Sequence, residues 1–273
     1  STNYASIRNT DVIILCLPTP LKDKKTPDLS YILSTINCIK KYLKKGQLLI
    51  LESTTYPGTT EEKIYPVLTE MGFNIGEDFF LAYSPEREDP GNKIFKSKQI
   101  PKLLGGYTKK CSELGQRVYK ITNEEVIVLS SIKTAEITKL LENVYRAINI
   151  GLVNELKELS DILDVDIQEV ISAAATKPFG FQAFLPGPGV GGHCIPIDPY
   201  YLSWKAKELG LEMKLIDVAG EINASMPNLV VKKVENIFKI KLISIKTSKV
   251  LILGLTYKKN IDDIRESPSL KIM

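Results

Sequence analysis

The sequence predicts an α/β protein: a mostly parallel sheet covered by helices, a middle built on one long helix, and the start of a second α/β unit. Three observations carry this. Short apolar runs alternate with helix-spaced segments through the first half. An unbroken helix period runs from Lys133 to Leu163. A fresh apolar run opens at Lys249. Alternating strands and helices imply parallel strands joined by crossovers, with both sheet faces covered.

In order, Asp11 to Leu17 reads as a buried strand ended by Pro18-Thr19-Pro20. Leu29 to Leu43 has helical spacing at Ile32, Ile36, Ile39 and Leu43, with Gly46 as a stop. Gln47 to Glu52 is a second strand, closed by Ser53-Thr-Thr-Tyr-Pro-Gly58. A helix over Glu61–Met71 and a strand over Phe79–Tyr83 follow. Lys102–Gly105, a helix over Cys111–Tyr119, and Val126–Leu129 continue the alternation. From Lys133 to Leu163 there is no Pro, and apolar residues recur from Ile137 through Leu163 at helix spacing. Helices of that length often bridge domains or form oligomer contacts. Further helices are predicted over Ile167–Ala175, Tyr200–Leu209 and Ile222–Phe238, and a buried strand over Lys249–Gly254.

Composition sets limits. The chain has 273 residues, 44% hydrophobic and 25% charged, as in an ordinary globular protein. No run approaches the roughly 18 apolar residues of a membrane helix, and the opening STNYASIRNTD is too polar for a signal peptide. Cys16, Cys38, Cys111 and Cys194 show no C-x-x-C, so free thiols and a cytoplasmic location are expected. One histidine and scattered cysteines argue against a metal site. The pI of 8.6, with lysines mixed among acids, argues against a nucleic-acid partner.

The stretch FLPGPGVGGHCIPIDPYYLSW contains a literal G-x-G-x-x-G at Gly187, Gly189 and Gly192. A dinucleotide turn needs a strand before it and a helix opening inside it. Here Pro186 precedes it, Pro188 lies within it, and the next helix starts past Asp198, so the match is rejected. Cys194 is the better candidate. Asp198-Pro199 has the form of an N-cap followed by Pro at N1, and a helix N-terminus favours a nearby thiolate. A small packed cysteine is the plainer alternative. His193 would point away from Cys194 on extended backbone, which leaves it a structural or contact role. Lys139, Asn143 and Arg146 share one stripe of the long helix, where a solvated face is the simpler reading. Thr19, Ser53-Thr54 and the charged turn Glu86-Arg87-Glu88-Asp89 all follow strands, at the ends where open α/β sheets bind ligands.

The stretches CLPTPL, LESTTYPGTTE, SPEREDPGN, EITKLLENVYRAINIGLVNE, PGPGVGGHCIPIDPYYL and GLTYKKNIDDIRESPS, in that order, resemble the nucleotide-sugar 6-dehydrogenases, the UDP-glucose/UDP-N-acetylhexosamine group. The resemblance covers nearly the whole chain and overturns the plainer readings of Cys194, Lys139 and Asn143. It implies part of a Rossmann-like NAD-binding domain over 1–130, a helical dimerisation and catalytic domain over 131–228, and the start of a UDP-sugar-binding α/β domain over 229–273. It implies NAD as cofactor, a UDP-sugar substrate, double oxidation of the sugar C6 alcohol to a carboxylate, and a homodimer through the 133–163 helix. A role in surface-polysaccharide precursor synthesis is implied likewise.

Carried onto this chain, Cys194 would be the nucleophile that captures the C6 aldehyde, passing through a thiohemiacetal to a thioester. Lys139 would stabilise the oxyanion, and Asn143 would orient sugar or water. Asp198 and Glu86 would manage protons and the hydrolytic water. Thr54 would hold a water or contact the nicotinamide, with Thr19 and Arg265 as further NAD contacts. Arg87, Glu88, Arg146, Tyr257 and Lys258 would contact substrate, and the glycines, Gly191 among them, would clear space for the sugar.

Glucose-specific enzymes carry a Lys where Ile197 stands. Mannosamine-type enzymes place a His and an Arg in the loop that here reads Lys177–Gln182. The resemblance therefore points to the N-acetylglucosamine-type branch, with UDP-N-acetylglucosamine or UDP-N-acetylgalactosamine expected over UDP-N-acetylmannosamine. The family's pyrophosphate turn and most of its UDP domain have no counterpart in the sequence, so a chain truncated at both ends, with weak NAD binding, is expected. Two rival readings stand beside this one: a two-electron hydroxyacid-type dehydrogenase, and a non-catalytic dimerisation or binding module.

Overall fold

The structure is a computed structural model that describes residues 3–23, 25–89, 91–92 and 94–273. Ser1 and Thr2 of the polar opening, and Pro90 of the SPEREDPGN turn, lie outside the described residues. The chain forms two compact units, 1–142 and 143–273.

The first unit is built on a five-stranded sheet. Its strands are β1 (Val12–Leu15), β4 (Leu48–Leu51), β5 (Phe80–Tyr83), β6 (Lys102–Gly106) and β7 (Val126–Val128), side by side in that order. A small antiparallel pair, β2 (Leu21–Lys22) and β3 (Thr26–Pro27), stands apart from it. β1, β4 and β5 are parallel, with Val12 opposite Leu48 and Leu48 opposite Phe80. β6 runs antiparallel to β5, and β7 is parallel to β6. The parallel steps are made by helices: α1 (Ser30–Ile39), then a wide turn over Thr60–Ile64 leading into α2 (Tyr65–Glu70), and α3 (Lys109–Tyr119) between β6 and β7. The step from β5 to β6 has only a loop and a short 3₁₀ turn, which is why that pair can be antiparallel.

All four residues of β4 and of β5 are buried, as strands covered on both faces require. Leu48, Ile50, Phe80, Ala82 and Leu104 share one face and pack with Cys111 and Tyr119 of α3. α1 buries Ile32, Ile36 and Ile39. Its α-helical part stops at Ile39 and tightens into a 3₁₀ turn through Tyr42, earlier than the spacing to Leu43 predicts.

α4 (Ile132–Ile162) is the predicted long helix. The second unit contains its later turns, α5 (Ile167–Ala174), α6 (Asp198–Glu208), α7 (Lys214–Ile240) and α8 (Pro268–Ile272). α7 begins eight residues before the predicted start at Ile222 and carries Pro227 inside it. Gly151 lets α4 approach α7: a Cβ there would stand 3.3 Å from the Ala219 Cα.

Two sequence expectations are corrected. The run Lys249–Gly254 forms no strand, and Leu251 and Leu253 are exposed. The described residues of this unit hold no other strand for it to pair with, and a lone strand leaves its backbone groups unpaired. Asp198 is also not an N-cap. It is the first helical residue of α6, behind Ile197, and the Asn143 amide donates to its carboxylate.

Candidate functional site

In the first unit the candidates gather at the C-terminal ends of β1, β4 and β5. Ser53 ties two of these ends together. Its hydroxyl accepts from the Leu17 amide at 2.8 Å and donates to the Leu15 carbonyl at 3.4 Å. This bond holds the loop carrying Thr19 against the loop carrying Thr54. Thr19 is buried and Thr54 half-buried. These hydroxyl-bearing turns lie at the strand ends where open α/β sheets bind ligands, and the residues present fit a dinucleotide there.

Beside this edge lies a charge cluster that sequence reasoning missed. Lys102 pairs with Glu52, and its ammonium lies 3.7 Å from a Glu86 oxygen. The Tyr119 hydroxyl donates to Glu52 at 3.0 Å, and the Cys16 thiol donates to Glu52 at 3.2 Å. Burial, then the Glu52 bond and charge, push the Cys16 thiol up to about 11, so it stays protonated at neutral pH. Burial, then the Glu52 charge, push the Tyr119 phenol up as well. A cleft of about 280 Å³ opens over this cluster, with Glu86, Arg87, Glu88 and Lys98 on its wall. Glu86 and Glu88 are exposed. Arg87 is committed within the unit: it donates to the Pro101 carbonyl at 2.7 Å and pairs with Glu142 at 2.8 Å. The sequence signal for the cluster was a Lys heading a buried strand, which must find a carboxylate.

Lys139, on α4, is 6% exposed and has no ion-pair partner among the described residues. A buried ammonium without a carboxylate is costly unless negative charge develops beside it. One turn earlier, Glu136 is fully buried. It accepts from the Gly58 amide at 2.5 Å, the Thr60 amide at 3.0 Å and the Thr60 hydroxyl at 2.7 Å. It thereby fastens the Thr54 loop to α4.

In the second unit Asn143 and Asp198 are both buried, and the Asn143 amide donates to the Asp198 carboxylate. Arg146 donates in turn to the Asn143 side-chain oxygen. Cys194 is exposed in the turn just ahead of α6. Its carbonyl accepts from the Ile197 amide at 3.1 Å and the Asp198 amide at 2.9 Å, which folds the chain into the helix directly after the thiol. Arg265 lies within electrostatic reach of Cys194 and His193, and its guanidinium is clamped by both Asp263 oxygens at 2.6 to 3.0 Å. Burial, then the Arg265 charge, hold the His193 imidazole below its ordinary range.

The segment 187–192 has no strand before it and no helix within it. Its glycines admit protein rather than open space. A Cβ on Gly191 would meet Tyr257 at 2.5 Å, and one on Gly192 would meet the Tyr257 ring at 2.7 Å. The Gly192 amide donates to the Arg265 carbonyl at 2.9 Å. Tyr257, half-buried, and Arg265 thus lie on the Cys194 loop. Lys258 follows, half-buried.

Replacing Asn143 with leucine removes the amide donor from a carboxylate that is 2% exposed. The expected cost is about 1–3 kcal/mol, the usual penalty for taking a partner from a buried polar group. Urea unfolding of the two proteins measures it; equal midpoints would mean that Asp198 does not depend on Asn143.

A mostly parallel sheet with hydroxyl-bearing loops at its strand ends fits the class of dinucleotide-dependent dehydrogenases. Residues 1–123 match the UDP-glucose/GDP-mannose dehydrogenase family, NAD binding domain. Residues 133–225 match the same family's central domain, and 251–273 its UDP binding domain. The chain belongs to the UDP-glucose/GDP-mannose dehydrogenase family. It is 39% identical over 273 residues to the UDP-N-acetyl-D-glucosamine 6-dehydrogenase of Pseudomonas aeruginosa, which covers 99% of this chain and 64% of that protein. It is 41% identical over 271 residues to the UDP-N-acetyl-D-mannosamine dehydrogenase of Campylobacter jejuni, covering 96% of this chain and 65% of that protein. The UDP-D-ManNAc dehydrogenase structure from Pyrococcus horikoshii superposes with a TM-score of 0.92 at 35% identity, covering 100% of this chain and 64% of that one. The chain thus spans just under two thirds of the length of these relatives.

Proposed function

We propose that this protein oxidises the C6 hydroxyl of a UDP-N-acetylhexosamine twice, to the uronic acid, through a covalent intermediate on Cys194. The observation that supports it most is the exposed Cys194 thiol in the turn that enters α6, within reach of the Arg265 charge. A helix N-terminus and a nearby cation both favour the thiolate, the form that adds to a carbonyl. NAD would supply the hydride acceptor when bound; Thr19 and Thr54 would hold it, and Arg265 would be a further contact.

The chain's own residues manage the rest. The thiolate adds to the C6 aldehyde to give a thiohemiacetal. Loss of a second hydride leaves a thioester, which water cleaves to carboxylate and free thiol. Lys139 stabilises the developing oxyanion, consistent with its burial and lack of an ion pair. Asn143 and Asp198 orient sugar and water and hold the proton released on hydrolysis, and Glu86 assists from the strand edge. Arg87, Glu88, Arg146, Tyr257 and Lys258 serve the substrate, and Gly191 does so indirectly, by admitting Tyr257 to the Cys194 loop.

N-acetylglucosamine is the preferred sugar on this reading, because the 177–182 loop lacks the His and Arg of mannosamine-type enzymes. The exposed apolar residues Leu141, Leu152, Leu156 and Leu159 on α4 suit a homodimer. No described helix is long and apolar enough to cross a membrane.

The expected stoichiometry is two NADH per uronic acid, measured by absorbance together with product quantification for UDP-N-acetylglucosamine, UDP-N-acetylgalactosamine and UDP-N-acetylmannosamine. One NADH per substrate turned over, with no dependence on a thiol, would replace this reading with a simple two-electron dehydrogenase.

A further inference from the structure

The Cys194 loop is held from behind by amides that no proposed chemistry uses. Asn154 of α4 and Asn223 of α7 are both buried, 0% and 2% exposed. The Asn154 amide nitrogen donates to the Asn223 side-chain oxygen at 2.9 Å, and the Asn223 nitrogen donates to the Ala147 carbonyl at 2.8 Å. The remaining polar atom of the pair, the Asn154 side-chain oxygen, accepts from the Gly187 backbone amide at 2.9 Å.

Two residues on, Gly189 (φ +127°) docks on the same spot. A Cβ there would stand 3.3 Å from both the Asn223 carbonyl oxygen and the Pro227 ring. Pro227 has no N–H to give to the carbonyl four residues earlier, so inside α7 the Asn223 carbonyl keeps a face for the loop. Asparagine and proline are poor residues for helix interiors. Their presence where the loop lands calls for a purpose other than helix stability.

We propose that Asn154 and Asn223 are positioning residues that register the 187–194 loop, and so the Cys194 thiol, against the start of α6. The proposal rests on the reading of Cys194 as nucleophile. The chain between Gly187 and Cys194 has no regular structure of its own. Its path is fixed at one end by this amide clamp and at the other by Tyr257 and the Arg265 carbonyl. Loosening the clamp should let the thiol drift from the helix start that favours its ionised form.

Two substitutions at one position separate positioning from plain stability. Asn154→Leu keeps the volume but offers Gly187 no acceptor. Asn154→Asp keeps the acceptor but introduces a buried carboxyl group, so it should lose stability while holding the loop. The readout is site-resolved iodoacetamide alkylation of Cys194 across a pH series, by peptide mass spectrometry, with thermal unfolding alongside. In Asn154→Leu, alkylation at neutral pH is expected to slow by about threefold or more as the midpoint moves to higher pH, while Asn154→Asp stays near wild type. Gly189→Ala, which attacks the contact from the loop side without changing either asparagine, should reproduce the Asn154→Leu profile, and it carries the test if either Asn154 variant does not fold. Profiles that follow thermal stability instead, or do not change in any folded variant, would overturn the proposal. Failure of the parent reading looks different. If Cys194→Ser still made uronic acid, the nucleophile would be lost, while the alkylation contrast between the Asn154 variants would stand or fall by itself.

Discussion

Cys194→Ser is expected to end uronic acid formation, with a loss on the order of 10³-fold or more, the scale on which removal of a catalytic nucleophile is felt. The reason lies in acidity. A thiol is intrinsically far more acidic than an aliphatic hydroxyl and is the better nucleophile near neutral pH, so a serine in the same turn is a poor replacement. His193, the single histidine, is half-buried, its imidazole held below its ordinary range by burial and by the Arg265 charge. The first oxidation needs no nucleophile, so the variant should still release NADH from alcohol to aldehyde while producing no acid. Full turnover to uronic acid in Cys194→Ser would dispose of the covalent mechanism. Cys16 offers an internal contrast. Part of its surface is exposed too, but partial burial of the thiol and its bond to Glu52 push it up to about 11, so it should react with alkylating agents far more slowly than Cys194.

What the sequence disclosed follows from what each signal depends on. β1, β4, β5 and α4 are specified by local periodicity and composition, and they formed where the pattern placed them. Lys249–Gly254 carries an equally good strand pattern and formed none, because a strand also needs a partner, and a pattern cannot supply one. Asp198 before Pro199 is a good local cap signal. The helix nevertheless starts one residue earlier, at Asp198 itself, and the carboxylate takes a bond from Asn143, far away in sequence, which no local pattern announces. The same limit hid the supporting residues. Glu52, Lys102, Asn154 and Asn223 act through partners tens of residues away. Their only local trace is a polar group at a position where burial is otherwise expected. Cys194, Lys139 and Asn143 became visible through resemblance rather than spacing, which by itself favoured a packed thiol and a solvated stripe.

Glu136 should make the protein less stable as pH rises through the neutral range, and Glu136→Gln should remove that dependence. The carboxyl is fully enclosed, and burial raises its pKa from the ordinary 4.5 to about 7 even against the Gly58 and Thr60 bonds, which favour the ionised form. The folded protein therefore keeps this proton to a higher pH than the unfolded chain does. Below about 4.5 the group is protonated in both states and the full contribution is present. Between about 4.5 and 7 only the folded state holds the proton, so stability falls as pH rises, and above about 7 the loss is complete. The span corresponds to a loss of up to about 3 kcal/mol. Urea unfolding at about pH 5 and about pH 7.5 reads it. The difference between wild type and Glu136→Gln isolates this group from others titrating in the window, His193 among them, whose lowered pKa acts in the opposite direction. An equal pH slope in the two proteins would mean that the carboxylate stays ionised throughout, held by its three hydrogen bonds. A neutral Glu136 can give its own proton to one partner at most, and accepts more weakly from the Gly58 and Thr60 amides than a carboxylate does. The loop carrying Thr54 should therefore be gripped more firmly on α4 above neutrality than below it, although the fold as a whole is then less stable.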